Sequence, residues 1–432
     1  GCMKGLKTGT ATARDYFIET DPAQDLSSVA RPRSSALLTP VNTTSGKRHV
    51  WTTFSSDQVD LNYANPDVLF DMLDIFLFYI SMGIRIIRLD AIAYLWKKIS
   101  TSCINLQETH LLVKIFRNVI ELVAPDVLLL TETNVPHEEN VSYFGTGDEA
   151  HMVYQFSLPP LILHALITGT SQYLTQWAAS LSDPPAGCTF LNFSASHDGI
   201  GVRPLEGLMP EEKIQELLQI VCKRGGRISN RETADGKTAP YEMNITYFDA
   251  LSSQQEHNTK IHIARFLCSQ IIPLSLKGIV AIYFNSLVAA GNDYVLASQT
   301  GQARSLNRTK WDKDELIKEI NDPLSNAGKV FREYSRVLRI RAQHPAFHPD
   351  GEQHIFDLGK SLFTMERIAP DESERVVAVH NVTNQPVRIP AERLPDIDTK
   401  RISNLLAETS DCISKNTICL TPYESVWLRV NV

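Results

Sequence analysis

From Asn65 onward the apolar positions fall at helical spacing: Val68, Leu69, Met72, Leu73, Ile75, Phe76 and Tyr79. Asn65 suits an N-cap and Pro66 the first turn, and Gly83 closes the pattern. A continuous apolar run to Leu89 follows and opens a regular alternation. Strands are expected near 84–90, 127–131, 152–156, 189–195 and 279–284, and helices near 108–123, 161–181, 211–222, 258–273 and 327–343. Continuously apolar strands alternating with amphipathic helices imply an α/β fold, a parallel sheet covered by helices. Before this region, residues 1–60 are rich in Thr, Ser, Pro and Asp and lack long periodic runs, which predicts an irregular module. After His344-Pro345 the pattern changes to short strands such as 375–380 and 425–428, which predicts an antiparallel β domain. The chain is therefore divided into an irregular inserted module at 1–60, a β/α catalytic region at 61–345 and a C-terminal β domain at 346–432.

Composition narrows the classes. Among 432 residues, 43% are hydrophobic and 21% charged, as in ordinary globular proteins. A net charge of −7, with no basic stripe to offset it, argues against a nucleic-acid or anionic-membrane partner. No apolar run is long enough for a membrane span. The seven cysteines are scattered and odd in number, with no paired Cys or His spacing of a metal site. A reduced, cytoplasmic protein without metal or cofactor is the reading that follows.

Three acids close apolar runs: Asp90 after Gly83–Leu89, Glu132 after Val127–Leu130, and Asp198 after Thr189–Ala195. A charge just beyond a buried strand must be paired or stay wet. Three such acids, in the order Asp, Glu, Asp, suggest carboxylates converging on one rim, as glycosidic-bond chemistry needs. The segments Ile87-Arg88-Leu89-Asp90, Leu130-Thr131-Glu132-Thr133 and Ser196-His197-Asp198 resemble the catalytic strand ends of glycoside hydrolase family 13, the alpha-amylase superfamily of (β/α)8 TIM barrels. Three longer strings, at 31–35, 50–61 and 197–202, are similar to its sucrose phosphorylase branch, which also holds glucosylglycerate phosphorylases. A whole barrel needs eight strand–helix units. Five are visible here, so an incomplete barrel lacking the family's first three strands is expected.

The resemblance implies a retaining mechanism with Asp90 as nucleophile and Glu132 as acid/base, the two about 5–5.5 Å apart. Arg88 would orient Asp90 and favour its ionised form. A neighbouring carboxylate and an enclosed apolar setting would keep Glu132 protonated. Asp198 would bind two sugar hydroxyls, with His197 as a further donor, although most family hydrolases carry Asn where this chain has Ser196. Arg304 matches an arginine that contacts the glucosyl hydroxyls. Arg33 and Tyr94 match positions that receive phosphate or the leaving group, and Glu242 resembles a mobile-loop position near the acceptor. Val280 stands where the family usually carries Pro, a benign change in a buried strand.

The implied function is a phosphorylase moving glucose from a small α-glucoside, of sucrose or glucosylglycerate type, to inorganic phosphate. The runs at 61–66 and 131–137 favour glucosylglycerate. Two other readings remain: an α-glucosidase or transglycosidase with the same nucleophile, and an inactive truncated remnant that binds sugar.

Overall fold

The computed structural model describes residues 15–33, 35–44, 46–233, 237–252, 259–395, 402–407, 413–414 and 416–430. Cys2, Cys412 and Ser34 lie outside these residues. The chain divides into two units: residues 1–154, 185–188 and 229–241 in the first, and 155–184, 189–228 and 242–432 in the second.

The first unit begins with a hairpin where sequence reasoning expects irregular structure. Strands β1 (Leu38–Thr43) and β2 (Gly46–Trp51) pair antiparallel, from Leu38 opposite Trp51 to Thr43 opposite Gly46. Gly46, at φ 109°, supplies the backbone conformation the tight turn needs. Trp51 and Val50 are fully buried and anchor two small apolar clusters. Helix α1 (Pro66–Ser81) starts as expected, with the Asn65 side chain accepting from the Asp67 N–H. Then come β3 (Ile86–Leu89), α2 (Gln107–Val123), β4 (Leu128–Thr131) and β5 (Met152–Tyr154). β3 pairs parallel with β4, and β4 parallel with β5. Helix α2 buries Leu112, Val113, Phe116 and Ile120, the stripe its helical period dictates. Phe116 packs edge-on against Phe76 of α1, with ring centroids 5.0 Å apart.

In the second unit, the single helix expected over 161–181 is two helices, α3 (Leu158–Thr168) and α4 (Gln172–Ser180). Gly169 takes a left-handed conformation, φ 70°, and ends α3. The Ser171 hydroxyl then donates to the Lys360 and Leu362 carbonyls, a tertiary tie that fixes the break. Strand β6 (Thr189–Asn192) leads towards β7 (Ile200–Gly201) and α5 (Glu211–Lys223), which buries Ile214, Leu217, Leu218 and Val221. Strand β8 (Arg227–Glu232) starts in this unit and β9 (Thr238–Asn244) ends in it, where Met243 and Glu242 pair antiparallel with Ile200 and Gly201 of β7. After α6 (Thr259–Ser275), β10 (Ile279–Val280) pairs parallel with β6. Among the described residues the β/α region thus holds five parallel strands, three in one unit and two in the other.

Helices α7 (Lys313–Asn321) and α8 (Asn326–Gln343) precede the terminal β region. There β11 (Glu352–Phe356), β12 (Leu362–Ile368), β13 (Arg375–Asn381), β14 (Val387–Pro390), β15 (Ile402–Asn404), β16 (Ile413–Ser414), β17 (Thr417–Leu420) and β18 (Ser425–Val430) form two antiparallel sheets, ordered β11-β12-β13-β18-β15 and β14-β17-β16. The expected antiparallel tail is present. The unit's main core runs from the α3 leucines through Phe266 and Tyr334 to Phe363 and Trp427.

Candidate active site

In the first unit the candidate chemistry sits at two adjacent strand ends. Register sets Arg88 opposite Leu130 and Leu89 opposite Thr131, so Asp90 and Glu132 both emerge just beyond their strands. One guanidinium spans the two acids. Arg88 Nη1 lies 2.5 Å from Asp90 Oδ1 and Nη2 lies 3.7 Å from Glu132 Oε2. The Arg88 head also stands 5.7 Å over the Tyr154 ring. Burial pulls the Arg88 pKa down, but the charges of Glu132 and Asp90 outweigh it, and the net shift is upward. Burial likewise raises the Tyr154 phenol, with Arg88 opposing.

The two acids differ in setting. The Asp90 side chain is 70% exposed and that of Glu132 only 13%. The Ala91 N–H donates to Glu132 Oε2 at 2.9 Å. Ala91 reaches it from a left-handed backbone, φ 49°, which is costly for a residue with a side chain. Glu132 is enclosed, as expected, but its setting is not wholly apolar: Oε2 is met by an amide donor and a guanidinium.

Tyr94, 8% exposed, packs edge-on against Phe54 at 5.4 Å. Arg33 stacks over the Tyr241 ring at 4.8 Å. Next to Tyr94, Lys97 is nearly buried: its Nζ lies 2.9 Å from Asp60 Oδ2 and donates to the Tyr94 carbonyl. Asp60 also accepts from the Thr53 hydroxyl. Sequence reasoning missed this buried pair.

The second unit holds the other residues. Asp198 Oδ1 is shared by Arg304 Nη1 and Arg308 Nη2, each at 3.0 Å, and His197 Nε2 lies 3.4 Å from Asp198 Oδ2. Asn307 Nδ2 donates to the Asp198 carbonyl at 2.9 Å, and Arg308 Nε to the His197 carbonyl at 2.6 Å. Arg308 and Asn307 were not singled out from sequence, although they share a string with Arg304.

Glu242 is not on a loop. It lies in β9, 2% exposed, opposite Gly201 of β7, and Arg304 Nη2 approaches its Oε1 at 2.9 Å. Gly199 makes room for this. A Cβ there would meet Glu242 Cβ at 2.9 Å and the Met243 carbonyl at 3.0 Å. Within this unit Arg304 therefore joins Asp198 to Glu242, and His197 lies beside Asp198. Within the first, Arg88 gathers Asp90 and Glu132, while Arg33 and Tyr94 each sit on an aromatic ring. No group of three or more His, Cys, Asp or Glu among the described residues could hold a metal ion. No described helix is long and apolar enough to cross a membrane.

Chemically, a carboxylate beside an arginine and a second carboxylate is suited to nucleophilic displacement at an anomeric carbon. Acids held by arginines suit the binding of sugar hydroxyls. The alpha-amylase catalytic-domain family matches residues 3–181 of the chain. The chain is 42% identical over 417 residues to a glucosylglycerate phosphorylase of Escherichia coli (strain K12), covering 96% of this chain and 73% of that protein. It is 47% identical over 374 residues to a glucosylglycerate phosphorylase of Allomeiothermus silvanus, covering 86% of this chain and 66% of that one. The chain thus spans about two-thirds of the length of such curated relatives. A crystal structure of sucrose 6F-phosphate phosphorylase from Thermoanaerobacter thermosaccharolyticum shares the fold, with a TM-score of 0.74 at 24% identity, over 88% of this chain and 76% of that one. With strand-end acids, an alpha-amylase-type fold and relatives at this level of identity, the chain belongs to the alpha-amylase family, glycoside hydrolase family 13.

Proposed function

We propose that the chain carries the catalytic residues of a retaining α-glucoside phosphorylase. The observation that bears most weight is the single guanidinium of Arg88 holding Asp90 and Glu132 together. In the first step Asp90 attacks the anomeric carbon and the bond to the leaving oxygen breaks. Glu132 gives its proton to that oxygen, and a glucosyl ester of Asp90 forms. In the second, an oxygen of hydrogen phosphate attacks the same carbon and releases Asp90. The phosphate's proton returns to Glu132, and the product is α-glucose 1-phosphate. Both displacements invert, so configuration is retained.

Asp198, His197 and Arg304 bind the glucosyl hydroxyls in this proposal, with Arg33, Tyr94 and Glu242 on the acceptor side. A planar guanidinium suits phosphate because it donates to two oxygens at once. Relatives named glucosylglycerate phosphorylase, at 42% and 47% identity, support glucosylglycerate over sucrose as donor. An incomplete barrel belongs to the same proposal, with five parallel strands among the described residues against the eight of a closed one. So does the division of the chain near residues 60 and 345.

The test is to incubate the folded chain with glucosylglycerate or sucrose, with and without phosphate. Phosphate-dependent α-glucose 1-phosphate, absent in Asp90→Asn, is the expected result. Free glucose formed regardless of phosphate would make it a hydrolase. Equal, background-level turnover by parent and Asp90→Asn would leave only a sugar-binding remnant.

A further inference from the structure

The second unit encloses a cavity of about 270 Å³ that the proposed chemistry does not use. It is bounded by residues 181–184, which precede β6, and by Leu276 and Lys277, which precede β10, whereas Asp198 follows β6. Gln155 lies on its wall and is 1% exposed. The Gln155 N–H donates to the Leu191 carbonyl at 3.0 Å, and its carbonyl accepts the Leu158 N–H at 3.1 Å. Both backbone groups are thus occupied, and the side-chain amide is what this residue offers the cavity. Its Oε1 has no hydrogen-bond partner among the described residues. Buried polar atoms are nearly always paired, so an acceptor left over at a cavity wall calls for a donor from outside the chain. At roughly 30 Å³ per water, the space far exceeds one bridging solvent molecule. It falls close to the roughly 300 Å³ at which small-molecule pockets begin.

The lining chemistry selects a class of occupant. Its charged side chains are already matched. Lys277 Nζ lies 2.6 Å from Asp183 Oδ1, and His354 Nε2 lies 3.4 Å from Glu352 Oε2. An ionic ligand of either sign therefore meets no spare counter-charge. What the wall presents instead is amide: Gln155, Asn192 and Gln353. Asn192 Nδ2 donates to the Lys277 carbonyl, and Gln353 Oε1 accepts the Lys277 N–H at 2.7 Å, so two of the three are held in place. An amide both donates and accepts, as a hydroxyl does. Trp177 and Phe190, 2% and 5% exposed, add apolar wall. Apolar walls with a few fixed polar groups are the usual make-up of a small-molecule site. We infer that this cavity is a binding site for a neutral polyhydroxy molecule of monosaccharide size, one of whose hydroxyls donates to Gln155 Oε1. The cavity and its ligand stand apart from the chemistry proposed above.

The probe is D-glucose, measured by equilibrium dialysis against the full chain and its variants. The expected result is a binding component that survives Asp198→Asn, which disables the glucosyl site proposed above. Gln155→Leu should weaken that component about tenfold, the loss of one hydrogen bond. Ala179→Trp, at an exposed position on the cavity rim, should abolish it while the circular dichroism and melting of the unliganded chain match the parent. If Gln155→Leu or Asp198→Asn fails to fold, Ala179→Trp in the parent chain decides alone. Glucose binding that Ala179→Trp leaves unchanged overturns the assignment, because the sugar then sits elsewhere. No glucose binding at all overturns it too, because the cavity then holds water only. So does inorganic phosphate binding more tightly than glucose and being displaced by Ala179→Trp, because the ligand is then an anion.

Discussion

Arg304 places Nη2 2.9 Å from Glu242 Oε1 and Nη1 3.0 Å from Asp198 Oδ1, so one side chain neutralises acids from two separate segments. The Glu242 side chain is 3% exposed, and removing its cation would leave a charge with little access to water. Arg304→Ala should therefore destabilise the fold by about 3 kcal/mol. Glu242→Gln should cost about 1 kcal/mol, because Arg304 keeps Asp198 and the neutral amide still accepts. Urea titrations of both variants check this, and equal losses would mean that the ion pair is not what holds β9 there.

The roles proposed for Asp90 and Glu132 separate by leaving group. A donor such as α-glucosyl fluoride departs without a proton, so Glu132→Gln should retain its first displacement while losing about a hundredfold or more on a natural glucoside. Asp90→Asn should lose both. Rapid-quench measurement of fluoride release distinguishes the two variants, and loss of fluoride release in Glu132→Gln would reassign the acid.

Lys97 and Asp60 form an ion pair with side chains only 4% and 17% exposed. Replacing one partner leaves the other charge buried, so Lys97→Met alone should cost about 3 kcal/mol. The double variant Lys97→Met/Asp60→Leu should recover much of that. A double-mutant cycle in urea measures the coupling. Additive losses would show that the two charges act separately.

His151 is buried, and its Nδ1 accepts the Leu129 N–H of β4 at 2.9 Å. Burial, with Arg117 adding to it, lowers its pKa to about 4. Only the unfolded chain then takes up this proton between pH 6.5 and 4. Stability is full above pH 6.5 and falls as pH drops through that window, by about 3 kcal/mol in all. His151→Asn, which keeps an acceptor but does not titrate, should flatten the acid limb of a pH-stability curve. An unchanged limb would place the sensitivity elsewhere. His380, fully buried and lowered to about 3, acts in the same direction in the second unit.

Local signals carried the β/α region. Asn65 caps α1 as its side chain suggests, and Asp90 and Glu132 stand directly beyond β3 and β4, whereas β6 ends at Asn192, six residues before Asp198. What sequence left hidden depends on partners far along the chain. The break between α3 and α4 is held by carbonyls about 190 positions away, invisible to helical periodicity. Glu242 reads as an exposed loop acid until β9 pairs with β7 and Arg304 arrives from 62 positions on. The hairpin at 38–51 was masked by Pro40 and a polar, weakly alternating composition. The polar side of the Glu132 setting was missed because one donor to it is a backbone amide, which no side-chain pattern advertises.

That amide belongs to Ala91, the residue directly after Asp90. The peptide adjoining one acid is thus clamped by the other, and the two strand tips are mechanically tied through a single left-handed residue. A substituent too large for that conformation at position 91 would disturb both carboxylates at once, although it touches no reacting atom. Glycine there would relax the backbone but slacken the tie. An alanine of unremarkable chemistry therefore sets the spacing on which a two-step displacement would depend.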